Sequence, residues 1–238
     1  MRHFLLTILI CLFFFYLSPD DGFSFPMQIR GQVGYNYYSM KSLKTLAQFQ
    51  RSSYQTWGID AKIVQEFPST PGFQLQAAIP FREYSLAGLV WDYASTGARI
   101  HYADYSGYAK TDMVITRQAF GLLLERIVPL TAKINFVISL QSLVIYSRLN
   151  IKQETEILER VYSSEMPFRS ISVGFIPLAE LQFAAGHFLI GLRGGYEYDA
   201  GNRLYYLSDS SRSLNDGKSG VATSDWDGFR IGLIVGWK

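Results

Sequence analysis

The clearest alternation of apolar and polar positions lies at the C-terminal end of the chain. Every second residue there is apolar (Phe229, Ile231, Leu233, Val235 and Trp237), and the residues between them are glycine or basic apart from Ile234. Successive side chains of a β-strand point to opposite faces, so this period of two predicts a strand with one apolar face. Its length of about ten residues is what a tilted strand needs to cross a membrane.

The same alternation recurs upstream and predicts seven further strands. They lie around residues 29–37, 73–81, 86–94, 117–125, 133–141, 171–176 and 188–198. The connections are short near 82–84, 127–131 and 178–186, and long at about 39–71, 95–111, 149–167 and 200–226. Short periplasmic turns and long extracellular loops are typical of antiparallel membrane barrels. The pattern therefore predicts an all-β, eight-stranded antiparallel transmembrane β-barrel with both strand-region ends on the short-turn side.

Three segments of the long connections have patterns of their own. Residues 58–67 could form a further strand, but a ninth strand would place the two ends on opposite sides, so we assign this segment to the first loop as a short extension of the wall. The apolar spacing of residues 42–51 is compatible with one or two helical turns. Residues 208–224 are rich in Ser, Asp and Gly, which predicts a mobile loop.

Alternation alone does not decide which face points outward, because a soluble barrel with an apolar interior shows the same period. Glycines flank long charged residues on the polar face, as around Arg193, and would make room for them inside a narrow barrel. Amphipathic aromatic residues that suit a membrane interface lie near the strand ends: Tyr35, Tyr37, Trp91, Tyr93, Tyr196, Tyr198 and Trp237. The polar face also carries both charge signs: Arg30, Arg117, Lys133, Arg193 and Arg230 against Glu125 and Glu197. These features favour an apolar exterior over the alternative, a soluble periplasmic barrel that binds an apolar ligand.

The N-terminal segment has the features of a secretory signal. Arg2 and His3 precede an apolar run over residues 4–17, which is shorter than the roughly 20 residues of a membrane-spanning helix. Polar turn-forming residues follow, although no A-x-A triplet is present. We predict a signal peptide over residues 1–25, cleaved between Gly22 and Pro26, and a barrel domain over residues 26–238. An uncleaved anchor is the alternative. The only cysteine, Cys11, lies in the apolar run, so the mature chain is expected to contain no disulfide.

Composition agrees with a membrane barrel and excludes some partners. Charged residues make up 18% of the 238 residues, against roughly 25% in soluble domains, and aromatic residues make up 16%. The formal net charge of +2 offers no basis for nucleic-acid binding.

The signal, the eight amphipathic strands and the aromatic-rich last strand resemble the OmpA/OmpX-like small outer-membrane barrels, over roughly residues 27–238. The run at 95–108 also looks like a loop and strand edge of uncharacterised barrels of this kind. The resemblance implies a place in the bacterial outer membrane, with outer-membrane lipids and the barrel-assembly machinery as partners. One departure is Lys238, which follows Trp237 where family members end on an aromatic residue.

Little in the sequence indicates catalysis. An eight-stranded barrel is just wide enough for side chains, so we expect a packed ionic network rather than a pore, with a proton or small-ion path as the alternative. A lipid-modifying enzyme would depend on His101 with Asp104 and Ser106, whereas His187 lies at a short turn on the wrong side. No metal or cofactor motif is present, although four aspartates of the last loop could hold calcium weakly: Asp209, Asp216, Asp225 and Asp227.

The leading prediction is a non-catalytic protein with a structural or surface-recognition role through its extracellular loops. Tyr102, Tyr105 and Tyr108 are the first candidates for contact with an extracellular ligand, because tyrosine offers apolar area and a polar tip.

Overall fold

The computed structural model describes residues 27–105, 107–157, 160–218 and 220–237. The predicted signal peptide over residues 1–25, its Cys11, and Lys238 lie outside this range. The elements in chain order are β1 (Gln28–Tyr38), α1 (Lys41–Thr56), β2 (Lys62–Glu66), β3 (Thr70–Arg82), β4 (Ser85–Asp104), β5 (Gly107–Pro129), β6 (Ile134–Ile157), β7 (Arg160–Ala185), β8 (Phe188–Asp199), β9 (Tyr205–Tyr206) and β10 (Gly228–Trp237).

Eight of these strands close into a ring. The order β1-β3-β4-β5-β6-β7-β8-β10 returns to β1, and every pair in it is antiparallel. The first and last strands are direct neighbours, with Val33 opposite Leu233. The prediction of an eight-stranded antiparallel barrel with both ends on the short-turn side is confirmed.

The exterior of the ring is apolar, as the sequence predicts. Ile29, Leu122, Leu192 and Leu233 are each more than half exposed, whereas charged residues of the alternate face, such as Arg30, Glu125 and Arg193, are buried. Aromatic contacts mark both rims of this apolar belt. Tyr196 packs against Phe229 at one rim, and Phe188 packs against Trp237 at the other. Tyr196 and Phe188 lie eight residues apart on β8, roughly 27 Å along the strand. At the usual strand tilt this is roughly 20 Å along the membrane normal, a little less than the roughly 25 Å apolar band of such barrels.

The wall is much taller on one side than the other. Strands β4 to β7 have 20 to 26 residues, whereas β1, β8 and β10 have 10 to 12. Ala94 of β4 is opposite Gly72 of β3 on one side and Arg117 of β5 on the other. Beyond this row, on the side away from the short turns, strands β4 to β7 continue without β3. We call residues 95–104, 107–116, 148–157 and 160–169, together with β2 and α1, the extension.

The extension corrects two predicted loops. Residues 95–111 and 149–167 are strand except at the hairpin tips, since β4 runs to Asp104, β5 starts at Gly107, and β6 and β7 meet at 157 and 160. The physical reason is that the apolar residues move from the outward to the inward face of the strands. Below the extension the inward side chains are mostly polar, whereas within it Ile100, Met113, Ile115, Leu149 and Ile151 point inward and are buried. Apolar-out alternation ends at this level although the strands continue.

The short turns lie where the sequence places them, with one shift. They occupy residues 83–84, 130–133 and 186–187, so the third is narrower than the predicted 178–186 because β7 continues to Ala185. Lys133, which was assigned to the lumen face, is exposed in the second turn. It is therefore not part of the interior network.

The first long connection folds over the top of the barrel. Residues 62–66 form β2, which pairs with β4 within the extension, as expected of an extension of the wall. The helix is longer than one or two turns, with 16 residues, and it buries Leu43, Leu46 and Ala47 against the inward face of the extension. None of the helices among the described residues is long and apolar enough to cross a membrane.

The last connection, 200–227, is anchored to the same interior. Leu204, Ala222 and Trp226 are fully buried, and isolated bridges such as Arg203 with Thr223 fold the loop on itself. Strand β9 pairs with β7 at Tyr205 and Tyr206. The predicted loop therefore lies on the barrel as a cap.

Candidate functional site

The lower lumen holds four charged groups that neutralise one another. Glu125 accepts from Arg30 at 2.5 Å and from Arg193 at 2.9 Å, and Arg193 also reaches Glu180 at 2.5 Å. All four side chains are buried. A Cβ at Gly236 would lie 2.3 Å from Cγ of Arg30, so this glycine does make room for a long side chain across the lumen.

A second charge cluster lies above the first. Arg117 contacts Asp92 at 3.2 Å and Glu197 at 2.6 Å, and Arg230 pairs with the same two carboxylates. The two clusters together contain four guanidinium groups and four carboxylates, so the buried charges balance. The sequence analysis missed Asp92 and Glu180. Asp92 could have been found, since it alternates with the outward Trp91 and Tyr93.

Amides fill the space beside the charges. Gln74 donates to Gln141 Oε1 at 3.0 Å and to Asp92 at 3.3 Å. Such an interior offers hydrogen-bond partners for buried charge rather than an apolar chamber. The described part of the lumen therefore lacks the apolar chamber that the alternative, a soluble barrel holding an apolar ligand in its interior, requires.

An apolar plug closes the lumen above the charges. Trp226 is fully buried, donates from Nε1 to Ser147 Oγ at 2.8 Å and packs edge-on against Tyr38 at 4.8 Å between ring centroids. The guanidinium of Arg117 lies 5.4 Å from the Trp226 ring centroid, where a cation–π contact is favourable. This tryptophan therefore joins the ionic lumen to the apolar core under α1.

The structure does not assemble the catalytic set considered from the sequence. His101 and Asp104 lie at positions of opposite parity on β4, so they point to opposite faces of the strand. Asp104 accepts a hydrogen bond from the hydroxyl of Tyr102 at 2.7 Å. Ser106 lies outside the described residues. Within the described ranges, no group of three or more His, Cys, Asp or Glu side chains could hold a metal ion.

The aspartates of the last loop act separately as turn and loop partners. Asp209 accepts from Ser211, Asp216 from the backbone of Lys218 and Gly220, Asp225 from Thr223, and Asp227 from the backbone of Asp199. Their oxygens do not converge on a shared point.

The three tyrosines predicted to contact a ligand point in different directions. Tyr102 is half-buried against the core of the extension, and Tyr105 is completely exposed at the β4–β5 tip. Tyr108 pairs with Ala103 and so lies on the face opposite Tyr102. They do not form one surface.

A cleft between α1 and β6 was not anticipated. Its volume is about 330 Å³, and Gln50, Ser53, Tyr54, Trp57, Gln153 and Thr155 line it. Trp57 ends the helix and is 83% exposed, while the hydroxyl of Tyr54 is 2.8 Å from Thr111 Oγ1 and holds the helix to β5. Trp57 lies beyond the predicted helix at 42–51, so the sequence pattern did not connect it with Gln153 and Thr155.

The outer face of the extension is mostly polar, and several of its charged side chains form ion pairs. Asp112 contacts Arg99 at 2.5 Å and Lys110 at 2.8 Å, and Glu154 contacts Lys152 at 2.5 Å. Partial burial raises the pKa of Asp112, but the hydrogen bonds from Arg99 and Lys110 outweigh it, so the pKa of this carboxyl lies below its usual value. An outer face of this kind suits water rather than lipid tails.

Comparison with known proteins gives structural neighbours only. No protein-family model and no curated protein matches the chain. Ail, the attachment invasion locus protein of Yersinia pestis, in complex with the heparin analogue sucrose octasulfate, is similar at 15% identity and a TM-score of 0.38, over 90% of this chain and 99% of that one. Neisserial surface protein A is similar at 8% identity and a TM-score of 0.39, over 91% and 99%. The chain's own ring of eight antiparallel strands, its filled lumen and its apolar outer belt are those of a small transmembrane β-barrel.

Proposed function

We propose that this barrel is a non-catalytic surface-recognition protein whose recognising part is the extension. The observation that carries the proposal is that the lumen is filled at two levels, while the extension forms a folded platform with an aromatic cleft above the belt. Loops and strands held by a rigid scaffold are common places for binding. Export by the predicted signal peptide and insertion with the barrel-assembly machinery are part of this proposal.

The cleft favours an uncharged sugar as the ligand. Its lining offers amide and hydroxyl groups from Gln50, Ser53, Gln153 and Thr155, which can both donate and accept hydrogen bonds. Trp57 and Tyr54 add flat apolar faces with a polar edge, which suit the C–H face of a sugar ring. No lining residue carries a charge, so a charged ligand would find no partner inside this cleft.

Replacing Trp57 by alanine is expected to weaken binding of uncharged oligosaccharides about tenfold or more, since exposed aromatic anchors dominate such contacts. The measurement is an array of uncharged oligosaccharides probed with the detergent-solubilised full chain, followed by titration of the best binder. Tyr105→Ala is the comparison variant, because Tyr105 is a fully exposed aromatic residue at the β4–β5 tip, outside the cleft. Failure of every uncharged sugar to bind, or an equal loss in both variants, would contradict the cleft as the binding site.

Tyr105 and Tyr108 remain proposed contacts for a larger ligand that reaches the β4–β5 hairpin. If Tyr105→Ala alone reduces binding, the hairpin tip rather than the cleft is the recognising surface.

The non-catalytic part of the proposal has its own test. Replacing His101 by alanine is expected to leave the lipid A profile of the expressing cells unchanged, because His101 and Asp104 lie on opposite faces of β4. Mass spectrometry of extracted lipid A compares the wild-type protein, the variant and empty cells. A lipid A species that depends on the wild-type protein and vanishes in the variant would establish the enzyme instead.

A further inference from the structure

Two arginines lie directly opposite each other on the outer face of the barrel at the base of the extension, and a third lies two residues along the chain from Tyr205, which pairs with one of them. Arg148 of β6 and Arg169 of β7 are directly opposite each other in the strand register, and both are exposed. Strand β9 continues this row, because Tyr205 pairs with Arg169. Arg203 has the same parity as Tyr205 and is exposed, while its neighbour Leu204 is buried on the inner side. We call Arg148, Arg169 and Arg203 the arginine row.

The row lies immediately above the apolar belt. Two residues along the strands toward the short turns, Tyr146 is opposite Ile171, and two residues further Val144 is opposite Val173. All four of these side chains are exposed on the barrel exterior. One or two pleats above the row, the outer face carries Asn150, Lys152 and Glu165. The arginine row therefore occupies the boundary between lipid tails and water, where headgroups lie.

The row lacks counter-ions from the protein. Among the described residues, none of the three guanidinium groups forms an ion pair. Acidic side chains above the row on the outer face of β5, β6 and β7 have other partners. Asp112 and Glu154 bind cations of the extension, and Glu165 accepts from Asn150 at 2.6 Å. Higher on the same outer face, Arg99, Lys110 and Lys152 each pair with a carboxylate. The arginine row differs from these cations because it has no such partner.

Placing Arg148 opposite Arg169 also has an energetic cost, because like charges directly across two strands repel. That cost disappears when an anion sits between them. A guanidinium group presents a planar fork of donors that matches phosphate oxygens, and arginine is the residue best suited to bind phosphate in this way.

We propose that the arginine row binds the phosphate groups of an anionic lipid of the outer leaflet. The apolar belt below contacts the acyl chains of the same lipid, so headgroup and tails would be held by one continuous surface. This inference uses no residue of the α1–β6 cleft and is independent of the proposed recognition function.

The test uses the purified full chain in micelles of an uncharged detergent. Diphosphorylated lipid A is titrated in, and bound lipid is counted by native mass spectrometry. The double variant Arg148→Gln/Arg169→Gln is expected to bind about twenty-fivefold more weakly, at about fivefold per arginine lost near a membrane surface. Dephosphorylated lipid A is expected to bind the wild-type protein at least as weakly as phosphorylated lipid A binds the variant, which keeps Arg203.

The matched control is Arg51→Gln/Arg160→Gln, which removes the same charge from exposed positions of the extension away from the belt. An equal loss of lipid in this control would show general charge attraction and overturn the site. Equal binding of dephosphorylated lipid by the wild-type protein would overturn recognition of phosphate. Displacement of the lipid by an equal concentration of inorganic pyrophosphate would assign the site to a free phosphate rather than a lipid. A heat-modifiable gel band confirms that each variant is folded, and the double variant should be at least as stable as the wild-type protein without lipid.

Discussion

Replacing Arg117 by methionine is expected to lower the free energy of unfolding by about 3–5 kcal/mol, because it leaves buried carboxylates without a partner. Arg117 is fully buried and holds both Asp92 and Glu197. Arg230 contacts the same two carboxylates, but one cation cannot balance both anions. The measurement is urea unfolding of the barrel in a defined lipid or detergent, followed on gels without boiling.

Arg99→Met is the matched control for this prediction. Arg99 also binds an aspartate, at 2.5 Å from Asp112, but its side chain is 51% exposed, so its loss should cost no more than about 1 kcal/mol. The double variant Arg117→Met/Glu197→Met removes one charge of each sign and leaves Asp92 with Arg230. It is expected to recover part of the loss in a double-mutant cycle. Similar losses in Arg117→Met and Arg99→Met would mean that the lumen network is not what stabilises the barrel.

The sequence predicted the ring because a single physical constraint shapes most of the wall. Lipid on one side and a narrow lumen on the other require apolar and polar positions to alternate, and this alternation is visible without any contact information. The balance of charge in the lumen was visible only in part. Parity alone gives Arg30, Arg117, Arg193, Arg230, Glu125 and Glu197, and it also gives Asp92, which was overlooked. Glu180 was missed because it lies in the stretch 178–186, which was assigned to a short connection.

The same reasoning fails where the constraint changes. In the extension water replaces lipid outside, and α1 with its apolar residues replaces the ionic lumen inside, so the apolar face turns inward. Residues 95–111 and 149–167 then look like interruptions of the barrel pattern although their hydrogen-bond ladders continue.

The candidate sites depend on contacts between segments that are distant in sequence. They could not be predicted, because the strands that bring these segments together were themselves taken for loops. Trp57 and Thr155 come together only because α1 folds over β6. Arg148 and Arg169 flank a stretch predicted to be a loop, and they become neighbours only when that stretch is a hairpin. A phase change of this kind, apolar-out to apolar-in within one strand, is the sequence feature that would have revealed the extension.

Replacing Trp226 by alanine is expected to lower the free energy of unfolding by about 3–5 kcal/mol, the range for truncating a large buried aromatic side chain. The indole fills the space between the upper charge cluster and the core under α1, and it contacts both Tyr38 and Arg117. Its loss leaves a cavity and an unpaired Ser147 hydroxyl. Trp57→Ala is the matched control, because an 83% exposed tryptophan of the same extracellular region should change stability by less than about 0.5 kcal/mol.

The conservative variant Trp226→Phe separates packing from hydrogen bonding. It keeps most of the aromatic area but removes the Nε1 donor, and it is expected to cost about 1 kcal/mol for the hydrogen bond to Ser147 plus a smaller cavity loss. Hydrogen exchange measured segment by segment adds a second readout. In Trp226→Ala, protection should fall first in α1 and in residues 200–227, which rest on the plug, and last in the ring that the lumen charges hold. Uniform loss of protection across the ring and the extension would show instead that the plug and the ionic lumen unfold as one unit. Trp226 would then belong to the core of the whole barrel and not to a separate cap above it.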